Sequence, residues 1–338
     1  MNKKKSLIGV VAPIFISFLI FSVFFELGSR YYYRYYYIKS SDSSANQFIL
    51  TIGDSFCASS KSFPYVLGEK VQGTYKVLNA SEGGAGPDNY LMNMALNLGR
   101  KPQICIVSFY LGNDITDLRD HQTDPWRNRV KLFLGRNLYS YQVIRMVWVR
   151  IKYHVSDSER KSALEHGIRN PHMFAAGKAQ PDIVMRNLKV SGADVLDAWD
   201  TLGILVKDMM ELAQQHNVPL FAVLIPDCVQ VSNDYQNVYR KAGFKIDSAT
   251  TDLTKPQQLL IDILNQNQIP YLDLLPKFKQ LNVPGIYYSD DPHMTTMGHK
   301  ITANLLIDKL LELKLIVPKE APSGISPTKE SISSEQAN

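Results

Sequence analysis

Residues 48–55 read Phe48-Ile49-Leu50-Thr51-Ile52-Gly53-Asp54-Ser55. A short apolar, β-prone run stopped by a glycine predicts a buried strand. Ser55 then stands at the start of whatever follows the strand. Comparable runs recur at Val77-Leu78, at Ile104 to Phe109, at Leu220 to Ile225 (closed by Pro226) and at Tyr271 to Leu274. Helical spacing fills the intervals, at Asn89 to Leu98, Val195 to Gln215, Pro256 to Asn267 and about Thr296 to Leu313. Continuous apolar strands alternating with helices predict a parallel sheet covered on both faces. The fold class is therefore α/β, a three-layer α/β/α sandwich.

The stretch from about 117 to 192 breaks this rhythm. It holds Trp126 and Trp148, several basic residues and a helical pattern around Leu138 to Tyr153. It reads as an insertion over one end of the sheet, where substrate access is shaped.

The two ends differ from the middle. Lys3, Lys4 and Lys5 precede an uncharged run from Leu7 to Phe25, and Tyr31 to Tyr37 places six tyrosines around Arg34. At about 1.5 Å per residue the run reaches roughly the thickness of a bilayer's hydrocarbon layer. Tyrosines suit the interface beyond it. No small-residue pair follows the run, so an uncleaved transmembrane anchor over about residues 7–27 is favoured over a removed signal peptide. The lysines favour a cytoplasmic N-terminus. The catalytic part is then expected outside the cytoplasm, on a single-pass anchor. Ser40 to Ala45 is a polar linker, and the Ser-, Pro- and Lys-rich sequence from Pro318 is a disordered tail. The expected organisation is anchor and stalk over 1–45, one domain over 46–317, and tail over 318–338.

Composition excludes several classes. The chain has 338 residues, of which 45% are hydrophobic and 20% charged, and this is ample for a core. A net charge of +5 is too mild to imply a nucleic-acid partner. Cys57, Cys105 and Cys228 are too few for a disulfide scaffold and read as packed thiols.

Ligands of open parallel sheets bind at the carboxyl ends of the strands. There the sequence places Gly53-Asp54-Ser55, then Asn79-Ala80-Ser81-Glu82-Gly83-Gly84, then Gly112-Asn113-Asp114, and before the last helix Asp290-Asp291-Pro292-His293. A serine hydroxyl becomes a nucleophile when a base takes its proton, and His293 is such a base. An acidic residue near it holds the ring in one tautomer. Developing negative charge on an attacked carbonyl needs donors, which a glycine N–H and an Asn amide supply.

Each residue also has a plainer role. Ser55 or Asp54 can cap a helix, Gly84 can form a turn, and Asn113 can cap the next segment. His299 reads as a structural histidine. His121, His154, His166, His172 and His216 are scattered. Asp114 and Asp117 alone make weak evidence for a cation.

In order, the four segments resemble the blocks of the SGNH, or GDSL-like, hydrolases. The resemblance runs from about Phe48 to Leu313. It implies a flavodoxin-like sandwich, with Ser55 as nucleophile, His293 as base and Asp290, three residues before it, as the orienting acid. It implies an oxyanion hole from the Ser55 and Gly84 N–H groups and the Asn113 side chain, with no metal or organic cofactor. Phe56 replaces the Leu of the family's name, Ser81 stands where many relatives have Gly, and Asp291 is a second candidate beside His293. The expected function is ester hydrolysis on a small-molecule or glycan substrate, with O-acetyl groups of an envelope glycan foremost. Acyl transfer to such a glycan, or a catalytically silent glycan-binding module, are the alternatives.

Overall fold

The computed structural model describes residues 7–32, 47–121, 130, 133–135, 137–152, 156–188, 190, 193–247, 252–281, 283–289 and 291–317. Tyr33 to Tyr37, the linker 40–45, Asp290 and the tail 318–338 lie outside the described residues.

Five strands form one sheet: β1 (Gln47–Ile52), β2 (Tyr75–Asn79), β3 (Ile104–Tyr110), β4 (Leu220–Ile225) and β5 (Tyr271–Asp273). Their order is β2-β1-β3-β4-β5, and every pairing is parallel. Ile49 lies beside Val77 on one side and Ile104 on the other, which sets the register around β1. β3 and β4 are buried along their whole length, as the uninterrupted apolar runs predict for central strands.

The helices follow in chain order. The first is α1 (Leu7–Tyr32); α2 (Ser55–Ala58), α3 (Phe63–Val71), α4 (Pro87–Asn97) and α5 (Asp114–His121) accompany the first three strands. Between β3 and β4 come also α6 (Tyr139–Lys152), α7 (Asp157–Glu165), α8 (Pro171–Ala179), α9 (Ile183–Leu188) and α10 (Ala193–Gln215). The rest are α11 (Cys228–Val231), α12 (Asn233–Lys241), α13 (Lys255–Gln266), α14 (Leu274–Leu281) and α15 (Thr296–Glu312).

Side chains alternate across the strands, so each strand feeds two cores. Ile49, Ile104, Ile106 and Phe221 pack with α3, α8, α12 and α15 through residues such as Leu67, Phe174, Val238 and Leu306. Leu50, Ile52, Cys105 and Val107 pack on the other face with α4, α5, α10 and α13, through Leu91, Ile115, Leu202 and Leu260. Each fully buried Ile or Leu contributes about 1.5–3 kcal/mol. The centre of the sheet is therefore a stiff platform for the loops at its carboxyl edge.

The insertion is more than a cover. Ala163, Ile168, Met173, Phe174, Val184 and Leu188 are buried in the same core as Phe56. Its second half is thus built into one layer of the sandwich.

In α1, side chains are described from Ile16 onward, and Phe18, Phe21 and Phe24 are exposed. Among the described residues no helix is long and apolar enough to cross a membrane. Glu26 of α1 accepts hydrogen bonds from the N–H groups of Tyr139 and Ser140, at 3.1 and 2.9 Å, and so caps the start of α6. Arg30 pairs with Glu26 at 2.9 Å and lies 5.3 Å over the Tyr139 ring.

Candidate active site

The 2-1-3-4-5 order places a crevice where the chain leaves β1 in one direction and β3 in the other. Gly53 ends β1 against Cys57: a Cβ there would stand 2.7 Å from the Cys57 Sγ and 3.2 Å from the Ser108 Cβ. Only glycine lets the chain turn this tightly into α2. Asp54 caps α2, accepting from the Phe56 N–H at 2.9 Å. Ser55 is the first residue of the helix. Its hydroxyl meets His293 Nε2 at 2.9 Å.

His293 arrives on the loop before α15. Tyr287 and Met294 form an antiparallel bridge, and the Tyr288 N–H donates to the His293 carbonyl at 3.1 Å. Beneath the ring, Phe56 lies 5.0 Å from it, and Phe56 stacks in turn on Tyr110 at 4.2 Å. The residue that departs from the family's Leu is thus the floor under the histidine.

The carboxylate on His293 is Asp291. Asp291 Oδ1 lies 2.5 Å from His293 Nδ1 and also accepts the His293 backbone N–H at 2.8 Å. The sequence reading favoured Asp290 by its spacing of three; Asp290 lies outside the described residues, and the place at the ring is taken by its neighbour. The reason is local. An aspartate readily accepts the N–H two residues on, and this turn delivers the same carboxylate to the imidazole.

Electrostatics agree with the geometry. Burial works against the His293 imidazolium, but the hydrogen bond and charge of Asp291, with the charge of Asp54, outweigh it and raise the His293 pKa above its ordinary value. Burial opposes the Asp291 carboxylate too, yet the His293 hydrogen bonds and charge hold its pKa below the usual value. Burial pushes Asp54 up to about 6, against the Phe56 N–H bond, the His293 charge and the Asn113 amide. Asp54 therefore serves as the cap of α2, while its Oδ2 is buried without a hydrogen-bond partner among the described residues.

The other two donors stand at the neighbouring loops. Asn113 follows β3, and its amide faces Asp54. Gly84 lies exposed in the turn after β2 with φ +72°, a conformation that favours glycine. That turn is tied to the loop bearing Ser55. The Asn79 amide donates to the Cys57 carbonyl at 2.7 Å, and the Glu82 N–H donates to the Gly53 carbonyl at 3.0 Å. Arg145 of α6 pairs with Glu82. Asn79 went unassigned in the sequence; an Asn closing a strand was the signal.

The remaining candidates are structural. His299 is buried on α15, and burial, with the charge of His293, lowers its pKa to about 4. Asp114 accepts the Tyr90 hydroxyl at 2.8 Å and the Tyr110 N–H at 3.0 Å. Among the described residues no acidic, His or Cys group is arranged to hold a metal. The three cysteines are free and buried, and burial pushes each thiol up.

Serine, histidine and aspartate in hydrogen-bonded series, at the carboxyl edge of a parallel sheet, form the constellation of a serine hydrolase. No family model and no curated protein matches the chain. Solved structures to which the chain is similar include an acetyl xylan esterase, 11% identical with a TM-score of 0.43 over 77% of this chain and 98% of that one. They also include a GDSL-like lipase from Bacteroides thetaiotaomicron, 10% identical at 0.39 over 79% and 89%. An extracellular lipase from Streptomyces rimosus is 8% identical at 0.44 over 78% and 99%.

Proposed function

We propose that the chain is an SGNH-type serine esterase that hydrolyses acyl esters. The observation that carries this reading is the series Ser55 Oγ to His293 Nε2 at 2.9 Å and His293 Nδ1 to Asp291 at 2.5 Å. His293 Nε2 takes the Ser55 proton as Oγ bonds to the acyl carbon, and Asp291 stabilises the imidazolium. The carbonyl oxygen becomes an oxyanion, received by the Ser55 and Gly84 N–H groups and by Asn113. His293 returns the proton to the leaving alcohol. Water then repeats the sequence and frees the acid.

In its finer form the substrate is an O-acetyl ester of an envelope glycan, reached from a membrane anchor. Two features support the membrane location. From Ile16 to Leu27 the exposed side chains of α1 other than Ser17 are apolar, and α6, whose start Glu26 of α1 caps, exposes Ile144, Val147, Trp148 and Ile151 at helical spacing.

The test is a panel of p-nitrophenyl esters from acetyl to long chain, then acetylated glycan, with the full chain in detergent. Free acid must appear, and acetyl esters must be preferred. Acetyl appearing on an added glycan would make the enzyme a transferase. Long-chain preference would exclude the acetyl form.

A further inference from the structure

The turn that presents Gly84 is held at its corners. The Ala85 N–H donates to the Glu82 carbonyl at 3.1 Å, so Glu82-Gly83-Gly84-Ala85 is a β-turn with the two glycines at its tip. Both glycines are exposed, and a Cβ at Gly83 would meet nothing within 4 Å. The direction of the Gly84 N–H therefore depends on the residues that flank the tip. Ala85, on one side, is buried in the core beneath the sheet. Glu82, on the other, donates its N–H to the Gly53 carbonyl at 3.0 Å, and its side chain pairs with Arg145 of α6. The two paired side chains are only 10% and 9% exposed. α6 is a firm base for that arm. Glu26 caps its start, Tyr139 is buried, and the Tyr139 hydroxyl donates to the Leu96 carbonyl of α4 at 3.2 Å.

We propose that Arg145 is a positioning residue of the oxyanion hole: its ion pair with Glu82 ties the insertion to the corner of the turn and so aims the Gly84 N–H. The proposal rests on the serine-esterase reading and extends it. Two adjacent glycines leave the backbone many conformations of similar energy. An oxyanion donor is effective only when it is in place before the charge develops. A nearly buried ion pair is screened far less than an exposed one, so Arg145 grips Glu82 firmly. That grip fixes the Glu82 side chain, and through its Cα the first corner of the turn. The insertion then does more than border the substrate, because it braces the loop that receives the oxyanion.

Arg145→Gln, Glu82→Gln and the double variant test this in the full-length protein with p-nitrophenyl acetate. Turnover is expressed per serine labelled by a fluorophosphonate, so that unfolded chains are not counted. Each single variant loses about 10-fold or more in kcat with little change in KM, a part of the roughly 10²–10³-fold that a missing oxyanion donor costs. The double variant, which strands neither charge, loses no more than the worse single, because the two side chains act as one unit. A trifluoromethyl ketone, whose adduct on the enzyme carries an oxyanion, binds more weakly in step with kcat/KM. Unchanged kcat per labelled serine in Arg145→Gln would overturn the proposal. So would losses that multiply in the double variant, or a loss of kcat without weaker ketone binding. If Arg145→Gln does not fold, Glu82→Gln carries the same test. Ser55→Ala, run beside them, distinguishes the two levels. Retained hydrolysis there defeats the esterase reading itself, whereas an inactive Ser55→Ala beside a full-rate Arg145→Gln defeats only the role of Arg145.

Discussion

Asp54 is wholly buried, and its carboxyl titrates at about 6 rather than at the ordinary 3.8. A folded-state pKa above the unfolded value means that the native state binds the proton more tightly. The stability contribution of this group is therefore intact below the unfolded value and is lost as pH rises through about 6. The shift is about two units, and at about 1.4 kcal/mol per unit the charged form costs about 3 kcal/mol at pH 8. Asn in place of Asp keeps an oxygen for the Phe56 N–H and removes the charge. Asp54→Asn is thus expected to be more stable than the parent by about 3 kcal/mol at pH 8, with about half of that at pH 5. Urea unfolding at the two pH values, followed by circular dichroism, measures both numbers. The variant also loses activity, since Asn113 and His293 lose the charge they face. A stability difference that is the same at pH 5 and pH 8, or a parent more stable than the variant at pH 8, would refute the reasoning.

Other outcomes follow from the same geometry. Asp291→Asn is expected to lower kcat by about 10²–10⁴-fold, as the imidazole loses its orienting charge, while Asp290→Asn stays within about twofold; steady-state kinetics of the pair decide between the two carboxylates, and a reversed order would return the role to Asp290. The raised His293 pKa predicts that kcat/KM rises with pH through an acid limb above the ordinary histidine value of about 6.5, because a protonated ring cannot take the Ser55 proton; a pH–rate profile with its limb below 6 would contradict this. Gly84→Ala forces an L side chain into φ +72°, at about 1–2 kcal/mol, and is expected to lower kcat more than it raises KM; unchanged kcat would remove Gly84 from the oxyanion site.

Much of the sandwich was legible because two of its strands, β3 and β4, are buried along their whole length. Ile104 to Phe109 and Leu220 to Ile225 have nothing polar to blur their ends, and β3 and β4 run to within a residue of those bounds. Short helices left weaker traces. α12, nine residues with Val238 as its one aliphatic side chain, and α14, eight residues with Pro276 inside it, are too short to show a long apolar periodicity. Ser55 and His293 were readable as types at strand and helix ends, and the fold brings them together across 238 positions. Asp291 was not chosen because spacing along the chain says nothing of which carboxylate a turn points at the ring.

The most direct test of the central claim is labelling of the full chain with a fluorophosphonate, read by mass spectrometry of the modified peptide. The account predicts phosphonate on Ser55, loss of the label in Ser55→Ala, slowed labelling in His293→Ala, and loss of acyl-ester hydrolysis in step with the label. Label on another residue, or a Ser55→Ala protein that hydrolyses acyl esters at the parent rate, would contradict it.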